Sequence, residues 1–273
     1  MKPRILYIVG SGRSGSTLLD LLLGSHPEIE SGGECYKYAR YFSPSSMRPD
    51  NKRICTCGMH VHECGYWKAV REVLMRNYGE VNFDLETPDA DRFIEWNRRV
   101  IDAILDVSGK AMFVDSSKHF HRLRRLVDSG AFEVAAVHLV RDGRAVAFSG
   151  ARKGYEVEKM LQEWRHNVGW KAALRSMHGV PYKLVRYEDL TADPDATLKS
   201  ILDLIDLEFD KSMLRFRDVA HHNLAGNRMR MAGSSEIRRD DEYLTRTGFI
   251  DWCGMTWRIR KELREFRYPL LRG

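Results

Sequence analysis

The sequence has 273 residues, of which 43% are hydrophobic and 30% are charged, as expected for an ordinary globular protein with a core. Its 44 basic and 38 acidic residues give a net charge of +6, which suits an anionic ligand. The arginines are scattered, and no zinc-finger, basic-zipper or RNA-recognition pattern is present, so we do not expect a nucleic-acid partner.

The predicted elements alternate along the chain. The stretch "RILYIV" (4–9) predicts a buried strand, and a glycine-rich turn after it leads into a helix from Gly15 to Leu23. Further apolar strands are predicted at 111–117, 132–140 and 181–187, and helices at 67–77, 89–107, 119–128, 142–152, 156–178 and 194–206. Short apolar strands between longer helices predict one α/β domain over residues 1–273, with a central parallel sheet flanked by helices.

Two segments, 40–66 and 219–237, contain Pro, Gly, Ser and Asn and show little periodicity. They are predicted to be long functional loops that cover a ligand and form an acceptor pocket. No apolar run reaches the roughly 18 residues of a membrane span, so no transmembrane segment is expected. The N-terminus "MKPRILYIVG" is too short and too soon followed by glycine for a secretory signal, which predicts a cytoplasmic protein.

The turn "GSGRSGST" (10–17) lies between the first strand and the first helix. Backbone N–H groups and the positive end of the helix meet there, and such an arrangement binds phosphate-like anions. The turn is close to the P-loop pattern G-x-x-x-x-G-K-[ST], but Ser16 occupies the position of the lysine. A fixed positive charge comes earlier in the turn, at Arg13, while Ser16 and Thr17 supply hydroxyl donors.

This altered turn resembles the 5′-phosphosulfate loop of the sulfotransferases, in which Lys or Arg precedes Ser-Gly-[Ser/Thr]-Thr. The resemblance assigns the loop to Arg13, Ser14, Gly15, Ser16, Thr17 and Leu18. A second stretch, "VRDGRAVAFS", follows a predicted strand and is similar to the family's 3′-phosphate motif. There Arg141 offers a bidentate guanidinium, and Ser149 offers a hydroxyl that faces the same side.

Two later stretches extend the resemblance to about residues 4–260. "VRYEDLTADP" (185–194) is similar to a segment near the adenine in this family and nominates Tyr187. "HNLAGNRMRM" (222–231) resembles a late segment of bacterial and carbohydrate-type members that brings an arginine to the donor, which nominates Arg230 and then Arg228. The resemblance implies that 3′-phosphoadenosine 5′-phosphosulfate (PAPS) is the donor and 3′-phosphoadenosine 5′-phosphate (PAP) the product, with no metal required. The acceptor would be a small molecule, carbohydrate or peptide, and its identity and the oligomeric state stay open.

Sulfuryl transfer needs positive charge near the bridging oxygen that leaves, and Arg13 and Lys118 are the candidates. Lys118 follows a predicted strand, and strand carboxyl ends face the ligand crevice in open parallel sheets.

Glu34 lies at the distance from the loop at which tyrosylprotein-type members carry a glutamate base. Burial would have to raise its pKa toward neutrality. Cytosolic members use a histidine two residues beyond the lysine, which here is Phe120.

The neighbours of Phe120, His119 and His121, therefore remain alternative bases. A kinase or other P-loop phosphotransferase with a degenerate loop is the alternative function, and Asp115 could then bind magnesium at a strand end. A non-catalytic nucleotide-binding module is a third possibility.

Three cysteines, Cys55, Cys57 and Cys64, lie close together in "ICTCGMHVHECGYW", with His60 and His62 between them. Their spacing is not a standard zinc pattern, although thiol and imidazole groups this close could hold zinc. Buried free thiols or one disulfide are the alternatives, and no metal ligand is assigned from the sequence.

Overall fold

The computed structural model describes residues 1–231 and 233–272. Within them, five parallel strands form one sheet in the order β2-β3-β1-β4-β5. The strands are β1 (Arg4–Gly10), β2 (Ile29–Ser31), β3 (Met112–Lys118), β4 (Glu133–Val140) and β5 (Tyr182–Arg186). The helices are α1 (Ser16–Gly24), α2 (Tyr38–Phe42), α3 (Gly65–Tyr78), α4 (Ala90–Ser108), α5 (Phe120–Asp128), α6 (Gly143–Ala151), α7 (Val157–Val168), α8 (Trp170–Arg175), α9 (Tyr187–Ala192), α10 (Pro194–Leu202), α11 (Glu242–Arg246) and α12 (Phe249–Glu265). The predicted α/β class with a central parallel sheet is confirmed.

The central strand β1 is buried on both faces, as its continuous apolar run predicts. Because successive side chains point to opposite faces, Leu6 and Ile8 pack with α1, α9 and α10, whereas Ile5, Tyr7 and Val9 pack with α3, α4 and α5. Helices therefore cover both sides of the sheet. A site can therefore form only from the loops that follow the carboxyl ends of the strands.

Some elements differ from the sequence prediction. The three-residue β2 was not predicted, because a strand this short has no periodicity and forms by pairing with β3. The predicted helix 156–178 is two helices that meet at Gly169. Helix α12 was also missed, although its buried Trp252, Met255, Ile259 and Leu263 recur at helical spacing. It packs with α6 and α7 in a cluster that includes Val140 at the end of β4.

A buried ionic network lies beneath the carboxyl end of β3. The guanidinium of Arg122 donates to Asp115 Oδ2 at 3.1 Å, to Asn97 Oδ1 at 2.6 Å and to Glu86 Oε1 at 2.6 Å. Asp115 also accepts from the backbone N–H of Ser117 at 2.9 Å. Each charge is paired and hydrogen-bonded, which makes its burial tolerable.

Among the residues described, no helix has both the length and the apolar character needed to cross a membrane.

Candidate functional site

A cavity of about 630 Å³ opens at the carboxyl edge of the sheet. The chain leaves β1 toward β2 and β3 on one side, while β4 and β5 lie on the other, and such a reversal of strand order is where open α/β sheets form their ligand crevice. The volume is in the range of small-molecule sites, about 300–1,000 Å³. The nominated residues that line it are Arg13, Gly15, Ser16, Thr17, Leu18, Glu34, Lys118, Arg141, Ser149 and Tyr187.

The glycine turn forms one wall of the cavity. Gly15 precedes α1 with a φ of +91°, and a Cβ at this position would lie 2.4 Å from Cδ2 of Tyr187. Both the backbone conformation and the close contact require glycine. The first N–H groups of an α-helix have no acceptor within the helix, so the start of α1 at Ser16 and Thr17 presents free donors and positive potential to the cavity. Ser14 is buried beneath this wall, and its Oγ has no hydrogen-bond partner among the described residues.

Arg141 reaches the cavity from the end of β4. Its Nη1 donates to the backbone oxygen of Arg13 at 3.1 Å, and its Nη2 donates to the backbone oxygen of Asp240 at 2.7 Å. The same Nη2 lies 3.1 Å from the Asp240 carboxylate. The guanidinium is 4.5 Å from the centre of the Tyr187 ring, and the Tyr187 hydroxyl accepts from the Asp240 N–H at 3.1 Å. These contacts fix the position of the Arg141 guanidinium, and its charge is already paired with the Asp240 carboxylate.

Glu34 and Lys118 meet at the opposite wall. Lys118 Nζ donates to Glu34 Oε1 at 2.5 Å, and Lys37 Nζ donates to Oε2 of the same carboxylate. Burial alone would raise the pKa of Glu34, but the charges of Lys118 and then Lys37 outweigh it and lower the pKa to about 2. A general base at this position would need a raised pKa. The lowered pKa means instead that the carboxylate is ionised at neutral pH.

The backbone of Lys118 is unusual for a strand residue. Its φ is +72°, and the pairing of β1 with β3 shifts register between Tyr7 and Val9, with Val9 opposite Lys118. A positive φ is uncommon for a non-glycine residue and often occurs at functional sites.

The alternative histidine bases lie elsewhere. Of the described residues that line the cavity, none is a histidine. His119 is exposed, with its ring centre 4.7 Å from that of Tyr36, and His121 is exposed on α5. The ring of Phe120, at the position of the cytosolic-type histidine, stacks on Trp170 at 5.5 Å.

Asp115, the magnesium ligand of the kinase hypothesis, is fully buried and does not line the cavity. Its carboxylate is engaged by Arg122 and by the hydroxyl of Ser117. A magnesium ion in the cavity would need a ligand from another residue.

Arg230 is close to the cavity but does not line it. Its guanidinium donates to the backbone oxygen of Ile54 at 2.8 Å, to Thr56 Oγ1 at 2.7 Å and to the backbone oxygen of Asn223 at 3.1 Å. Arg228 is exposed. Arg230 therefore joins segment 219–237 to segment 40–66, a role that a motif cannot reveal because it depends on how the two segments fold together.

Several lining residues were not predicted from the sequence. Asn227 lies beside the glycine turn, where its N–H donates to Thr17 Oγ1 at 3.1 Å. The other residues are Gly12 of the turn, Tyr155, Lys159, Met160 and Glu163 near α7, and Gly226, Met229, Glu236, Ile237, Arg238 and Asp240 from the late loop. Lys159 and Glu163 are four residues apart on one helix, a spacing that places them on the same face.

Comparisons with known proteins agree with this architecture. A family model described as "Sulfotransferase family" matches residues 3–211. The structure is similar to the sulfotransferase domain from the Synechococcus PCC 7002 olefin synthase, with 21% identity, a TM-score of 0.51, and 99% of this chain and 97% of that chain covered. It is also similar to the sulfotransferase domain from the curacin biosynthetic pathway, with 17% identity, a TM-score of 0.57, and 98% and 99% covered.

A third similar structure is sulfotransferase STF9 from Mycobacterium avium, with 13% identity, a TM-score of 0.53, and 100% of this chain and 79% of that chain covered. At such identities the likeness to solved structures is one of fold. No curated protein matches the sequence.

The glycine turn gives a prediction with an internal control. Gly15→Ala should lower the free energy of unfolding by about 1–3 kcal/mol, because the left-handed backbone is strained for alanine and the new Cβ displaces the Tyr187 ring. Gly12→Ala should change it by less than about 0.5 kcal/mol, since no atom lies within 4 Å of a Cβ there. Urea unfolding of both variants measures the difference. Equal effects would contradict the assigned role of Gly15.

Proposed function

The chain belongs to the sulfotransferase family, and on that premise we propose that it transfers a sulfuryl group from PAPS to a hydroxyl of a small-molecule, carbohydrate or peptide acceptor. The main support is the convergence of Arg13, Lys118 and Arg141 on one cavity, beside a phosphate-binding turn in which Ser16 replaces the P-loop lysine. PAPS is anionic at both its 5′ and 3′ positions, so a site for it needs two separated groups of donors.

The donor would be held by residues from three turns at the sheet edge. The N–H groups at the start of α1 and the Arg13 side chain would bind the 5′-phosphosulfate. Arg141 and Ser149 would bind the 3′-phosphate, which would replace the Asp240 carboxylate beside the guanidinium. The ring of Tyr187 would lie near the adenine.

PAPS supplies the sulfuryl group, and the chain's own residues supply charge and a proton acceptor. Glu34 would take the proton of the acceptor hydroxyl, whose oxygen forms the new bond to sulfur. The bond between sulfur and the bridging oxygen breaks, and PAP leaves with the electron pair of that bond. Arg13 and Lys118 would stabilise the negative charge that develops on the bridging oxygen.

The ion pair of Lys118 with Glu34 suggests how donor binding would prepare the base. Lys118 cannot fully engage both the Glu34 carboxylate and the bridging oxygen of the donor. When it turns to the donor, Glu34 loses the larger of the two charges that lower its pKa, and burial then raises the pKa toward the useful range. Glu34 would therefore become a stronger base only once the donor is bound.

The degenerate-loop kinase is less well supported. It would have to work with Ser16 in place of the phosphate-binding lysine and with Asp115 committed to Arg122.

We also propose that segment 219–237 covers the donor and that segment 40–66 supports it. Gly226, Asn227, Met229, Glu236 and Ile237 line the cavity. Segment 40–66 contacts this cover from behind, where Arg230 donates to Ile54 and Thr56.

Donor identity is tested by calorimetry with PAP and ATP. PAP should bind without magnesium and far more tightly than ATP. Arg141→Ala should weaken PAP binding by about 1.5–3 kcal/mol, or roughly 10- to 150-fold in Kd, because a hydrogen-bonded charge is lost. Arg152→Ala is the control, since this exposed arginine does not line the cavity. Tight ATP binding that requires magnesium would contradict the proposal.

The covering segments are tested by hydrogen exchange. PAP should slow amide exchange in 219–237, and to a smaller extent in 40–66, because the ligand stabilises the closed arrangement. Helix α10, none of whose residues line the cavity, serves as the internal reference. Unchanged exchange in both segments on PAP binding would show that they do not cover the donor.

The base is tested by four substitutions. Glu34→Gln should lower kcat by about 10²–10⁴-fold with little change in PAP affinity, as expected for loss of a general base. Lys118→Ala should lower both kcat and donor affinity, while His119→Ala and His121→Ala should stay within about tenfold of wild type. Turnover is measured as PAP released from PAPS with a hydroxyl acceptor.

Glu30→Gln is the matched control for Glu34→Gln. Both side chains are 12% exposed and each is paired with lysine, but Glu30 lies outside the cavity, paired with Lys110. If Glu34→Gln turns over normally while a histidine variant is inactive, that histidine is the base.

A further inference from the structure

Four side chains that are distant in sequence meet beside segment 219–237. The ligand atoms of Cys55, Cys57, Cys64 and His222 all lie within 4.8 Å of one another. His222 Nδ1 is 3.3 Å from Cys64 Sγ and 3.7 Å from Cys55 Sγ. Cys64 Sγ is 3.7 Å from Cys57 Sγ and 3.8 Å from Cys55 Sγ. We call these four residues the Cys₃His cluster.

The spacing of the cluster fits a single tetrahedral zinc ion. With Zn–S bonds of about 2.3 Å and Zn–N bonds of about 2.0–2.1 Å, tetrahedral geometry separates two sulfurs by about 3.8 Å and a sulfur from a nitrogen by about 3.5 Å. The sulfur–sulfur distances are 3.7 and 3.8 Å, and the sulfur–nitrogen distances are 3.3 and 3.7 Å. Three thiolates and one imidazole are a ligand set typical of structural zinc sites.

The alternatives weighed from the sequence fit less well. A disulfide needs sulfurs about 2.05 Å apart, and it would leave the third thiol of the cluster unused. All three cysteines are free thiols. The nearby histidines face elsewhere: His60 Nε2 is 3.3 Å from the Asp50 carboxylate, and the His62 ring packs against Phe42.

Local structure holds the ligands in place. Cys55 and Cys57 lie on a tight turn in which the Cys55 N–H donates to the Met59 oxygen at 2.9 Å and the Gly58 N–H donates to the Cys55 oxygen at 3.0 Å. Gly58 has a φ of +88° in this turn, a backbone conformation that glycine adopts readily because it has no side chain. Cys64 is the residue immediately before α3.

The His222 side chain is also supported. Its ring stacks on that of Tyr66, with centres 4.6 Å apart and planes 4° from parallel. Its backbone oxygen accepts from Trp67 Nε1 at 2.7 Å. The stacked ring and the anchored backbone restrict how the imidazole can turn.

We propose that Cys55, Cys57, Cys64 and His222 bind one structural zinc ion, with His222 as an Nδ1 ligand. The four protein ligands fill the tetrahedral sphere, so the ion has no open position for a substrate and acts on structure. The proposal rests on this cluster alone and does not depend on the proposed sulfuryl transfer.

The ion would connect segments 40–66 and 219–237 to the wall of the cavity that carries Glu34. Two residues after His222, the backbone of Leu224 pairs with the turn that carries Glu34. The Leu224 N–H donates to the Gly32 oxygen at 2.9 Å, and the Leu224 oxygen accepts from the Glu34 N–H at 3.0 Å. Zinc would therefore join segment 40–66 to segment 219–237 and fix the backbone of Glu34 through Leu224.

Metal analysis of the full chain, purified without chelator from zinc-supplemented medium, tests the proposal. Wild type should contain about one zinc per chain, and Cys64→Ser and His222→Ala should lose most of it. Cys253→Ser and His62→Ala are the matched controls and should keep it, because neither residue belongs to the cluster. Iron in place of zinc would overturn the choice of metal.

A second measurement uses the wild-type protein, because loss of a ligand can unfold the chain. Cobalt exchanged into the site should give the absorption of tetrahedral thiolate-bound Co²⁺. Cys57 is exposed but should be alkylated at least about tenfold more slowly than after chelation, since a bound thiolate is a poor nucleophile. The exposed Cys253 should react equally in both states. Metal-free protein without a cobalt spectrum, in which Cys57 reacts as fast as Cys253, would overturn the proposal.

Discussion

The contact between the backbone of Gly15 and the ring of Tyr187 is the constraint on which the site depends. It joins the turn after β1 to the start of α9 after β5, across the end of β4. Arg141, which follows β4, places its guanidinium on the same ring and donates to the backbone of Arg13. The glycine turn, the buried cation and the aromatic wall therefore pack directly against one another.

Two of the cations that line the cavity are paired with carboxylates of the protein itself. Arg141 is paired with Asp240, and Lys118 and Lys37 are paired with Glu34. An anionic ligand at Arg141 or Lys118 therefore exchanges partners with these carboxylates, whereas Arg13, which also lines the cavity, has no carboxylate partner among the described residues. Each exchange costs part of the binding energy. A ligand with anionic groups at both places gains two new pairs, whereas a ligand with one gains a single pair, so this arrangement favours selectivity over affinity.

Sequence patterns captured the parts of the structure that depend on local rules. Apolar runs located four strands, and the glycine turn located the wall of the cavity, because backbone donors at a helix start follow from local chain geometry. What the sequence could not show depends on distant segments. The pKa of Glu34 is lowered by Lys118, 84 residues away. Arg230 donates to the Ile54 carbonyl and the Thr56 hydroxyl, which lie 176 and 174 residues earlier in the chain. Likewise, His222 joins three cysteines only once two irregular segments fold together.

The two kinds of connection at the sheet edge differ in how freely they can change. Short connections at the ends of β1, β4 and β5 carry Arg13, Arg141 and Tyr187, the last at the start of α9. Segments 40–66 and 219–237 are much longer, and the second is attached near the sheet by the pairing of Leu224 with Gly33. Insertions and substitutions are tolerated best in such segments. Substitutions in segment 219–237 can therefore change one wall of the cavity while the turns at the strand ends stay intact. A library randomised only in segment 219–237, outside His222 and Arg230, would vary this wall on an unchanged scaffold.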